Sequence, residues 1–96
     1  MNTVDTFINN KDEFPVYLDF LLEQNIYENK RQIQRRLKIF FKQDEDFIKT
    51  YEKRGIGRIP ETIFMTLECF RELCTLSTNK NGYNMRKYIL DQLKHK

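Results

Sequence analysis

Residues 63–93, IFMTLECFRELCTLSTNKNGYNMRKYILDQL, decide how this chain is read. Ile63, Phe64 and Met65 predict a short extended lead-in. Thr66 then predicts an N-cap, because its hydroxyl can take up one of the unpaired N–H groups of a first helical turn. Leu67, Phe70 and Cys74 share one face of the helix that follows, with Leu73 beside them, while Glu68 and Glu72 lie opposite. Ser77, Thr78, Asn79 and Lys80 form a polar break, after which a second helix is expected to begin near Asn81 or Tyr83. Its inward stripe is Met85, Tyr88, Ile89 and Leu93; its outward one is Lys80, Tyr83, Lys87 and Lys94, with Asp91 as the single acid. Two helices joined so tightly are expected to cross steeply, as in helix-turn-helix units. Gly82, near the second helix's start, allows close backbone approach, to a phosphate or to another element.

The break and the start of the second helix are dense in side chains that reach phosphates and base edges: Asn79, Lys80, Asn81, Tyr83, Asn84, Arg86 and Lys87. Two core helices with a solvated turn would show the same pattern, so the rest of the chain has to weigh in.

Upstream, Val4, Phe7 and Ile8 predict one helical turn packed on the body. Phe14, Tyr17, Leu18, Leu21 and Leu22 follow i, i+3, i+4, i+7, i+8 spacing and predict a core-facing helix that ends at Gln24-Asn25. Val16 and Phe20 fall off that stripe, leaving apolar surface for a neighbouring element or a partner chain. Asn29 is the expected N-cap of a helix over 30–42 with Ile33, Leu37, Phe40 and Phe41 on its apolar face. Nearly opposite lie Arg31, Arg35, Lys38 and Lys42, and no acid interrupts them. Solvated helices intersperse acids with bases because like charges at i, i+4 repel. A stripe left unrelieved makes sense where phosphates supply the counter-charge. After the polar break at 43–46, Phe47–Tyr51 and residues 63–65 predict two short strands of a hairpin, although residues 46–53 also fit a helical turn. Between them Lys53, Arg54 and Arg58 sit on a glycine-bearing loop, as in a wing reaching along DNA.

A length of 96 residues suits one domain with one modest core, and a hydrophobic share of 40% with eight Phe and five Tyr is ample for it. No apolar run approaches the roughly 18 residues of a membrane span, and the N-terminus lacks the basic and apolar regions of a signal peptide. Cys69 and Cys74, five apart on one helix, point in different directions, and the single histidine, His95, gives no zinc set. The expectation is an intracellular, reduced, metal-free domain without a cofactor. Charge is unevenly placed: residues 1–29 carry −5, residues 30–58 carry +6 and residues 59–96 carry +2. One basic face for a polyanion and one acidic face turned away would follow. The acidic first third, with Val16 and Phe20, would equally make a homodimer surface. Catalysis is not expected: there is no phosphate loop, no dinucleotide-binding glycine pattern and no histidine beside a nucleophile.

The order Phe40-Phe41, Asp46-Phe47-Ile48, a basic glycine loop, Ile63-Phe64-Met65-Thr66, Phe70-Arg71-Glu72-Leu73-Cys74 and Arg86-Lys87-Tyr88-Ile89 resembles the MSV-type domain of large insect DNA viruses, the entomopoxviruses and iridoviruses. That domain occurs alongside Bro-N and KilA-N domains and is similar to phage AntA-type antirepressors. The likeness covers about residues 16–93, and Arg71 stands where Lys is common, which keeps the charge. It implies a DNA-binding or transcription-regulating module, usually N-terminal to a second domain, in the host cytoplasm or nucleus. The chain's last residues lie in mid-helix, which also predicts one module of something longer.

The expectation to be tested is therefore a single, mostly α domain over residues 1–96 with a small β-hairpin and four or five short helices. It would bind double-stranded DNA through Arg31, Arg35, Lys38, Lys42, Lys53, Arg54, Arg58, Asn79, Lys80, Asn81, Tyr83, Asn84 and Lys87. The alternative is a protein-interaction module.

Overall fold

The computed structural model describes residues 3–51 and 61–94. Within them the chain forms five helices and a three-stranded antiparallel sheet: α1 Thr3–Asn9, β1 Val16–Tyr17, α2 Leu18–Glu23, α3 Lys30–Phe40, β2 Phe47–Tyr51, β3 Glu61–Met65, α4 Leu67–Leu76 and α5 Lys80–Lys94. This is the mostly helical α+β class that the periodicities predict.

The hairpin forms in the expected place, with Phe47 opposite Met65 and Lys49 opposite Ile63. Its alternation buries Ile63 and Met65 on one face. A third strand departs from the expectation. Val16 and Tyr17 pair with Met65 and Phe64, giving the order β1-β3-β2. The helix expected to run from Phe14 therefore starts only at Leu18. Pro15 would be tolerated in a first helical turn, but the free edge of β3 takes Val16 and Tyr17 as a strand, which a β-branched residue beside an aromatic suits.

Of the two uses expected for Val16 and Phe20, covering by neighbouring elements is the one seen: they are 0% and 2% exposed. Phe20 packs its ring against Phe7 at 5.0 Å, Tyr17 at 5.7 Å and Phe70 at 5.8 Å, with edges meeting faces or nearly so. The dimer surface expected there has lost its apolar residues.

Helix α4 is the core's centre. Thr66 caps it as expected, its Oγ1 accepting from the Cys69 N–H at 3.0 Å. Cys69, Phe70, Leu73 and Cys74 are all buried. Burial pushes both thiols up, Cys74 to about 12. Helix α5 packs across α4 through Gly82, where a Cβ would stand 2.8 Å from Ser77 Cβ and 2.9 Å from the Cys74 carbonyl oxygen. Of the two uses expected for this glycine, the structure shows close approach to another element. Further along, the Tyr88 hydroxyl donates to Asp5 Oδ1 at 2.7 Å and ties α5 to α1.

Two outcomes follow. Gly82→Ala forces α4 and α5 apart and should cost about 1–3 kcal/mol in denaturant unfolding. Alkali should also loosen the fold. Burial raises Tyr27 from 10 to about 12 and Cys74 from 9 to about 12, so the folded state holds protons that the unfolded chain releases. That stabilisation is whole below pH 9 and is lost as pH rises towards 12. Melting temperature should fall across this window, and less steeply for Tyr27→Phe above pH 10.

Candidate nucleic-acid interface

Helix α3 begins at the expected cap, with Asn29 Oδ1 accepting from the Gln32 N–H at 3.0 Å. Ile33 and Leu37 are buried against the body, and Arg31, Arg35 and Lys38 are exposed on the far side. The helix stops at Phe40, because Phe41 is extended at φ −129° and ψ 162°. Lys42 therefore leaves the helical stripe. Its side chain is exposed, and its N–H is held by Asp46 Oδ2 at 2.8 Å in the turn that leads to β2. Phe40, expected on the apolar face, is instead 59% exposed beside Ile39 at 63%. The body does not reach the helix's last turn on that side.

On α5, Lys80, Asn81, Tyr83, Asn84, Arg86 and Lys87 are all exposed, and Tyr83 is the most open of the chain's tyrosines at 59% among the described residues. Lys53, Arg54 and Arg58 lie outside the described residues.

Asn79 and Asn81 do something the sequence did not suggest. Helix α2 ends in a Schellman arrangement: Asn25 takes φ 57°, the Asn25 N–H bonds Leu22 O and the Ile26 N–H bonds Leu21 O. The carbonyls of Asn25 and Ile26 then face the α4–α5 turn. Asn79 Nδ2 donates to both, at 3.0 and 2.8 Å, and Asn79 Oδ1 accepts from the Gly82 N–H at 2.9 Å, capping α5. Ser77 Oγ donates to Ile26 O at 2.8 Å and Asn81 Nδ2 to Asn25 O at 3.2 Å. Two expected base-reading amides are thus spent on fastening α5 to the segment four and five residues before α3. That fastening joins the turn before α5 to the connection before α3.

The sequence also passed over Arg36, which shares neither the apolar face nor the outward stripe. It is half-buried with its guanidinium 5.0 Å from the centroid of the Tyr27 ring. Tyr27 in turn donates its hydroxyl to Leu73 O in α4. Only the cation–aromatic pairing of residues nine apart hinted at this, and no helical spacing marks it.

Among the described residues no helix is long and apolar enough to cross a membrane, and no three His, Cys, Asp or Glu side chains are grouped to hold a metal ion.

If Asn79 serves the fold, Asn79→Ala should lower stability by about 2 kcal/mol, whereas Asn84→Ala on the open face should change it by no more than about 0.5 kcal/mol. Chemical denaturation of both variants checks the contrast. No known protein family matches this chain, and neither does any curated protein or solved structure, so its function has to be argued from its own surface.

Proposed function

We propose that the chain is a double-stranded DNA-binding module. The observation that carries this reading is the exposed run of Arg31, Arg35 and Lys38 on a helix that contains no acid. Like charges at i, i+4 destabilise an isolated helix, and phosphates on a duplex would relieve them by displacing their own condensed counterions. Lys80, Tyr83, Asn84 and Lys87 of α5, whose leading turn is bonded to the segment before α3, would add groups that reach base edges and backbone. Lys42 adds a cation beside α3, and the resemblance to the MSV-type domain points the same way. Cys69 and Cys74, the strongest nucleophiles by type, are buried with their thiols held protonated, which supports a binder and not a catalyst.

A second reading rests on Ile39 and Phe40, whose exposure suits contact with another protein. The two readings separate in one experiment. Binding to a generic duplex should weaken steeply with salt, with a log–log slope of about −4 to −5 if some five phosphates are neutralised. The double reversal Arg31→Glu with Arg35→Glu should flatten that slope and leave little measurable affinity. Phe40→Glu should leave DNA binding largely unchanged. If the wild type does not bind even at low salt, the DNA reading fails and the Ile39/Phe40 surface becomes the better candidate.

A further inference from the structure

Between α3 and the α4–α5 turn lies a cleft of about 140 Å³. Its floor is Tyr27, buried and anchored through its hydroxyl to Leu73 O. Arg36 lies over the Tyr27 ring, and its Nη1 also donates to Gln32 O at 3.3 Å. The guanidinium is therefore held by a face and by an edge. Of its five N–H donors, one is used in that bond, which leaves the rest of the fork for a ligand.

The opposite wall supplies more donors. Thr78 is exposed, and its hydroxyl bonds no described residue. On the α3 side, Gln32 uses its Oε1 to accept from the Glu28 N–H at 3.2 Å, which leaves its amide N–H groups for a ligand. Ser77 and Asn79, also at the cleft, have their side chains committed to the Asn25 and Ile26 carbonyls, so the wall that carries Thr78 is fixed in place. One carboxylate, Glu28, stands at the rim and opposes an anion, but it is exposed and screened by solvent.

We infer that this cleft holds one backbone phosphate of the duplex, with Arg36 as a pre-aligned fork and Thr78 and Gln32 as the flanking donors. The assignment rests on the DNA-binding reading and adds to it a fixed contact that sets the register of α3 and α5 on the backbone. The flexible cations Arg31, Arg35 and Lys38 supply attraction at long range. A guanidinium already immobilised against an aromatic ring loses little further freedom on binding, and it meets a phosphate through two parallel hydrogen bonds. The cleft is lined largely by donors, which suits an anion.

The test uses the full chain and reads the Arg36 Nε–H and the Thr78 amide by NMR during titration with a short generic duplex and, separately, with inorganic phosphate. Both signals should shift with the duplex. Arg36→Gln should lower duplex affinity and reduce the salt slope by about 0.9, the share of one phosphate. Arg36→Lys, which keeps the charge but not the fork, should restore only part of the affinity. Thr78→Val leaves the Tyr27–Arg36 stack untouched and should weaken binding about threefold, while Glu28→Gln should tighten it. Unchanged melting of Thr78→Val and Glu28→Gln keeps the result independent of any loss of fold in the Arg36 variants.

Suppose Arg36→Gln keeps the wild-type slope while the Arg31/Arg35 reversal still abolishes binding. The cleft is then no contact, and the DNA reading survives without it. A shift with inorganic phosphate but none with duplex makes this a free-anion site and overturns the assignment to the backbone. A wild type that does not bind duplex at all overturns both.

Discussion

The amide of Asn79 is the interaction on which the arrangement of this surface depends. It donates to two carbonyls more than fifty residues away in sequence and accepts from the first turn of its own helix. The Asn25 and Ile26 carbonyls are surplus acceptors left by the way α2 ends, and Ser77 and Asn79 satisfy them. No apolar contact could fix the junction so sharply, since burial sets proximity but not orientation. With the junction fixed, the connections that lead into α3 and α5 are held side by side, and the cleft beside Arg36 acquires two walls.

Charge is handled in a complementary way. In the turn at residues 44–46, Asp44 takes φ 72° and bonds Phe47 O through its backbone N–H, and the Asp46 carboxylate holds the Lys42 N–H. They shape the turn between α3 and β2. Helix α3 contains no acid to offset Arg31, Arg35 and Lys38, so the electrostatic cost of gathering them stays in the free protein. A polyanion would remove it.

Much of the fold was legible because local rules and tertiary packing agree. Asn29 and Thr66 cap the helices they precede, and β2 occupies the predicted residues. Along α5 the apolar stripe of Met85, Tyr88, Ile89 and Leu93 is turned inward. Reading failed where a long-range partner decides. Val16 and Phe20 fall off the helical stripe, and what covers them is decided at long range: the open edge of β3 takes Val16 as a strand, and Phe7 and Phe70 enclose Phe20. Asn79 and Asn81 have the chemistry of base readers, and only the position of the Asn25 and Ile26 carbonyls shows that their amides are occupied. Arg36 and Tyr27 belong to no periodic face, so their stacking could not be seen before the chain was folded. Stop signals were the weakest: Phe41 ends α3 with neither glycine nor proline after it.

The contact at Gly82 separates two kinds of position on α5. Gly82 is wedged against the Cys74 carbonyl and Ser77, so any larger residue there disturbs the backbones of two helices at once. One residue along, the Tyr83 side chain is 59% exposed. Over evolutionary time the first should stand still while Lys80, Tyr83, Asn84 and Lys87 drift freely. A lineage could then change what this helix recognises, one exposed residue at a time, without passing through an unfolded ancestor.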